Sequence, residues 1–163
     1  MDLLQCMSCM LEKSYIPQVI KGRPANNNED FNPVIVNEIP LISYENPDYP
    51  SFNWGYGGTG PMLLAMSLTS NVFGIISDSE INGKLYLFGA ASKFIETNYL
   101  KKFKMSDSFQ ITDVDIAKKL YPYLVEKINV AIKNWFFILV KVKVKVVLKH
   151  YFFLSFILIL QFF

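Results

Sequence analysis

The stretch Phe52–Pro61, FNWGYGGTGP, puts four glycines into the six residues Gly55–Gly60 and closes on a proline. Glycine concentrated in this way marks backbone that visits positive φ or passes close to another group, because only glycine does either cheaply. Thr59 is placed to cap a helix, and Pro61 suits a helix's first turn. The stretch therefore predicts a constrained turn that feeds straight into a helix. The first amides of such a helix, with its dipole, favour an anion.

The letters also fit G-x-G-x-x-G at Gly55, Gly57 and Gly60. A dinucleotide site needs a buried apolar strand before the first glycine, and Pro50-Ser51-Phe52-Asn53-Trp54 is not one. It also needs further βαβ units, whereas the chain downstream has helical periodicity. A P-loop fails because no Lys-Ser/Thr follows. Two uses of the turn remain. In the architectural one, Phe52, Trp54 and Tyr56 pack against the core and start a buried helix. In the functional one, Asn53, Tyr56, Gly57, Gly58, Thr59 and Gly60 hold an anionic or polar group, or Phe52, Trp54 and Tyr56 form a patch for a protein partner.

Around the turn, Leu3, Leu4, Met7, Met10 and Leu11 recur at helical spacing and predict a short N-terminal helix. Tyr15–Lys21 reads as a strand that Pro17 confines to an edge. Residues 24–32 form a polar, proline-bounded loop. Val34-Ile35-Val36 and Ile39-Pro40-Leu41-Ile42 flank Asn37-Glu38, a β-hairpin with asparagine in the left-handed turn. Pro61–Val72 predicts a largely buried helix. Lys84–Lys104 predicts another, with Leu85, Phe88, Ala91, Ile95, Tyr99 and Phe103 inward and Lys93, Glu96 and Lys101 on the wet face. Phe109-Gln110-Ile111 reads as extended. Thr112-Asp113-Val114-Asp115 reads as a capping box opening a helix that falters near Pro122. Val125, Ile128, Ile132, Trp135 and Leu139 predict a last amphipathic helix.

FNWGYGGTGPMLLAMSL resembles the hallmark of an uncharacterised family of small bacterial and phage- or plasmid-borne proteins. Its pattern is roughly F-x-W-G-Y-G-G-[ST]-G-P-x-x-L-A, matched at Phe52, Trp54–Pro61, Leu64 and Ala65. The family's upstream strand–turn is similar to Val34, Val36, Asn37, Pro40 and Leu41. Its aromatic helix and threonine-capped acidic helix start are similar to Phe94–Phe103 and Thr112–Leu120. The resemblance covers about residues 33–121. It implies a homologous small α+β domain of unknown function and lends no activity.

The chemistry-bearing residues are few. Asp78, Glu80, Asp107, Asp113 and Asp115 are the carboxylates suited to acid–base work, and Asp113 and Asp115 are explained by a helix start. Cys6 and Cys9 form a C-x-x-C pair without the further ligands a zinc site requires, and read as ordinary reduced cysteines. The single histidine, His150, falls outside the domain and serves no nucleophile. Lys101-Lys102-Phe103-Lys104 reads as a solvated helix end in preference to a nucleic-acid site. No catalytic residue, metal or cofactor is expected, and no nucleic-acid partner. No secretory signal is visible, because Asp2 replaces the positive n-region.

Charged residues are 18% of the chain, below the roughly 25% of soluble domains. The shortfall is local. Residues 1–135 hold twelve Lys/Arg and fourteen Asp/Glu, whereas residues 136–163 hold four lysines and no acid. In that tail Val140–Val146 alternates lysine and valine, and Tyr151–Phe163 is almost wholly apolar. Thirteen residues make a helix of only ~20 Å, short of a membrane span. Three readings stand: a marginal anchor over 146–163 with lysines on the cytoplasmic side, a soluble element buried by the domain or a partner, or a read-through or frameshift extension.

These observations predict an α+β chain: a variable segment over 1–30, a domain over 31–135 with a hairpin and edge strand, the glycine turn and three to four packed helices, and the tail over 136–163. The expected role is a non-enzymatic interaction or accessory protein of a bacterial or mobile-element genome. It would be cytoplasmic, with the tail as a route to the membrane, and would meet a protein partner through the Trp54–Pro61 surface. The alternative is a domain, binding or enzymatic, with an anion at the Gly57–Pro61 helix start.

Overall fold

The computed structural model describes residues 3–48, 50–75 and 82–133. The chain divides into two compact units, Met1–Leu124 and Val125–Phe163. Of the second, 125–133 are described and are helical. The tail over 136–163, with the anchor expected over 146–163, lies outside the described residues, as do Trp135, Leu139, His150, Asp78 and Glu80. Among the described residues no helix is long and apolar enough to cross a membrane.

The first unit is α+β. In chain order it runs α1 (Leu3–Met10), β1 (Val19–Gly22), β2 (Val34–Val36), β3 (Ile39–Pro40), α2 (Thr59–Asn71), α3 (Asn82–Asn98), a single 3-10 turn (Leu100–Lys102) and β4 (Phe109–Thr112). Residues 113–124 then form α4. The strands make one antiparallel sheet in the order β3-β2-β1-β4. Asn37 (φ 49°) and Glu38 (φ 68°) both take the left-handed conformation that a two-residue hairpin turn demands. The asparagine side chain also accepts from the Val19 amide at 2.8 Å, tying the turn to β1.

Two expectations about the N-terminal region change. The strand expected over Tyr15–Lys21 is β1, and it lies inside the sheet instead of at its edge. Pro17 precedes the first paired residue, so every amide from Val19 to Gly22 is available to the ladders. The segment expected to be variable and outside the domain is built into it. β1 joins the hairpin to β4, and Met7 and Met10 are buried in the common core.

On the inner face Ile20 stands between Val36 and Ile111, and Gly22 between Val34 and Phe109. A Cβ on Gly22 would lie 2.2 Å from the Phe109 ring, so the glycine is the space in which that ring sits. Phe109 meets Trp54 edge-on at 4.9 Å and stacks on Phe103 at 4.8 Å. This aromatic layer joins the sheet to the glycine turn. α2 packs against α3, and the inward stripe of α3 holds at Phe88, Ala91, Ile95 and Tyr99. Ser67 and Thr69, buried on α2, give their hydroxyl protons to the carbonyls one turn back, at 2.8 Å each.

α4 opens as expected. Thr112 Oγ1 accepts from the Asp115 amide at 3.1 Å and donates to the Asp115 carboxylate at 2.8 Å. Ile116, Ala117, Leu120 and Leu124 line its buried side. The helix does not falter at Pro122, which is exposed. The carbonyl deprived of its donor belongs to Lys118, also exposed, so water can satisfy it.

Candidate functional site: the glycine turn and the lysine segment

Trp54 anchors the turn. It is fully buried, and its indole Nε1 donates to the carbonyls of Lys104 (3.1 Å) and Asp107 (3.0 Å). The Gly55 amide donates to the Leu100 carbonyl at 2.9 Å. Gly55 has φ +84°, and a Cβ there would lie 2.5 Å from the Met105 nitrogen. Positive φ and backbone contact together leave glycine as the residue that fits. Gly57 is set by approach instead of φ: a Cβ would lie 3.0 Å from Lys101 Nζ and 3.9 Å from Glu96 Oε1. The turn is thus pressed onto residues 100–105, and the lysine run of that segment stands beside it.

The start of α2 differs from the expectation in one detail. Gly58 occupies the cap position with extended backbone, and no side chain caps the helix. The Gly58 carbonyl accepts from the Met62 amide at 3.1 Å. Thr59 is already inside the helix and exposed, so its hydroxyl does not serve as the cap. Pro61 removes one of the first-turn donors.

Of the residues expected to bind, Tyr56, Gly57, Gly58 and Thr59 are exposed. Gly60 is half-buried, with Tyr56 Oη 3.1 Å from where its Cβ would be. Asn53 Oδ1 accepts from the Trp54 amide at 2.9 Å, which commits it to the turn. The aromatic patch expected of Phe52, Trp54 and Tyr56 is not assembled on the surface. Phe52 and Trp54 are core residues, and Tyr56 alone is open, at 40% exposure. The turn therefore divides: Phe52 and Trp54 are architecture, and Tyr56–Thr59 face solvent.

Sequence periodicity placed Glu96 on the wet face of α3, and the structure corrects this. Glu96 is 2% exposed, with Lys93 Nζ at 2.6 Å and Lys101 Nζ at 3.4 Å. Burial would raise its carboxyl, but the hydrogen bonds from the two lysines outweigh that and hold it below its ordinary value. Glu96 fixes Lys101 against Gly57, and the signal missed was the lysine run, which folds back over the carboxylate through the 3-10 turn. Lys102 and Lys104 are exposed and make no ion pair with a described residue. Met105 beside them is 58% exposed. The surface around the turn is cationic with two apolar contacts, Tyr56 and Met105.

The other candidate groups lie elsewhere. Asp113 and Asp115 are committed to the start of α4. Asp107 is exposed and accepts from Ser106 at 3.0 Å. The Cys9 thiol is free and exposed on α1. Among the described residues no three of His, Cys, Asp and Glu come together as metal ligands. The turn and its lysines can hold negative charge by hydrogen bonds and Coulomb attraction, and Glu96 is ion-paired instead of poised to move a proton.

No protein-family model, no curated protein and no solved structure matches the chain.

Proposed function

We propose that the protein is a non-enzymatic binding module whose docking surface is the exposed turn Tyr56–Thr59 together with Lys101, Lys102, Lys104 and Met105. Its partner is a protein that presents carboxylates or phosphates next to an apolar side chain. The observation that supports this is the Lys101 ammonium held against Gly57 by buried Glu96. It places a fixed cation at an uncapped, exposed helix start, with two further lysines and two apolar side chains around it. A labelled polyglutamate peptide titrated against the full chain tests it. Binding that weakens about tenfold in Lys102→Glu/Lys104→Glu, a loss of two rim charges and their reversal, is expected. Equal binding by the variant overturns the reading.

A second reading, a small anion at the Gly57–Pro61 helix start, is favoured by one observation, the absence of a side-chain cap at Gly58. Inorganic phosphate separates the two. Amide shifts confined to Gly57–Met62 at millimolar phosphate support the small-anion site, and none there removes it.

A further inference from the structure

Two stretches of the first unit carry opposite charge. One holds Lys101, Lys102 and Lys104 with Met105. The other, the hairpin and its loops over 24–53, contains Glu29, Asp30, Glu38, Glu45 and Asp48 and no lysine or arginine. Asp30, Glu45 and Asp48 are exposed and make no ion pair with a described residue. Glu29 pairs with Arg23, and Glu38 with Lys21. In this acidic half lies a groove of about 300 Å³, walled by Phe31, Val34, Leu41 and Phe52, with Glu29 and Asp30 in its rim. Ile39 and Ile42 beside it are 69% and 58% exposed.

We infer that the groove of one copy receives the lysine segment of a second copy, Met105 entering the apolar groove while Lys102 and Lys104 meet Asp30 and its acidic neighbours. This rests on the reading of the turn as a docking surface and names its partner as this same chain. Charge complementarity is joined to apolar complementarity. An acid-rimmed apolar groove wants an unbranched apolar side chain next to a cation, and Lys104-Met105 supplies one on the same molecule. Methionine suits an irregular pocket because it is flexible and polarisable. The two patches are also adjacent. Phe52 lines the groove and Gly55 backs onto Met105, three residues or at most ~11 Å of chain apart. A two-fold axis near that segment lets each patch meet its opposite on the partner, so both contacts form in one closed dimer.

The test is zero-length carbodiimide crosslinking of an equimolar mixture of ordinary and nitrogen-15-labelled full chains. Mixed-isotope peptides joining Lys102 or Lys104 to Asp30 are expected. They must vanish in Asp30→Lys alone and in Lys102→Glu/Lys104→Glu alone, because each variant removes one of the two groups that carbodiimide joins as well as turning attractive pairs repulsive. Mixing the two variants restores them, since each supplies the charge the other now needs. The absence of these crosslinks in the native chain overturns the inference, and so does a mixture of the two variants that fails to restore them. If they are absent while the polyglutamate peptide still binds, self-association fails and the docking surface stands. If the peptide does not bind either, both fall.

Discussion

Glu96 and Asp113 are carboxylates withdrawn from water to the same degree, at 2% and 0% exposure, and they are satisfied in opposite ways. Glu96 takes two cations, Lys93 and Lys101. Asp113 takes neutral donors: the Tyr15 hydroxyl, the Gln18 amide at 3.0 Å and the Val114 amide at 2.7 Å. A buried charge must be paired or hydrogen-bonded, and either solution meets the requirement. What differs is what each partner set leaves behind. The donors around Asp113 are spent inside the fold, where they fasten the lead of β1 to the head of α4. The lysines around Glu96 are 58% and 36% exposed and keep unused donors at the surface, beside the glycine turn. One buried acid builds architecture, and the other holds a cationic surface in place.

The comparison breaks most sharply at Asp113. Asp113→Ala strands the Gln18 amide and removes the acceptor of the Tyr15 hydroxyl, and should cost about 3 kcal/mol of stability, read by urea unfolding. Polyglutamate binding by the fraction still folded should be unchanged. Gly55→Ala should cost about 2 kcal/mol, because it forces an alanine to φ +84° against the Met105 backbone. It should also weaken peptide binding by shifting the lysine segment. Glu96→Gln should cost about 1 kcal/mol, discounted for its exposed partners, and weaken peptide binding by releasing Lys101 from its place against Gly57. Because the Glu96 carboxyl is lowered in the folded state, its stabilisation is present above its unfolded value and is lost as pH falls through the folded one. The variant should flatten that acid limb. Thr112→Ala removes only the cap beside Asp113, about 1 kcal/mol. The smallest effect belongs to half-buried Glu29. Its hydrogen bond from Arg23, then that from the Asn26 amide, lowers its carboxyl from 4.5 to about 2. A carbon-13 titration should find that midpoint, with the pairing kept above pH 4.5 and lost toward pH 2.

What could be read ahead of the structure was whatever local chemistry decides. The Asn37-Glu38 hairpin, the Thr112–Asp115 helix start and the stripe Phe88, Ala91, Ile95, Tyr99 each follow from turn geometry, capping or periodicity within a few residues. The sheet order did not follow, because β1 takes its neighbours from β2 and from β4, far along the chain. Thr59 looked like a cap because it precedes Pro61, but the helix begins one residue earlier in a glycine turn that needs no side chain. Glu96 looked solvated because it shares a helix face with Lys93. Its burial comes from residues 100–105 folding back across it, which periodicity within α3 cannot register. The same fold-back brings the lysine run, read as a plain helix end, to the turn. The turn itself was legible as a constraint, and its division into a buried aromatic half and an open glycine half was not.

The most direct test of the account is the amide spectrum of the full chain as polyglutamate peptide is added. Shifts concentrated at Gly57–Met62 and Lys101–Met105 are expected, with the amides around Asp113 unmoved. An unchanged spectrum at millimolar peptide, or shifts that leave both segments untouched, would contradict it.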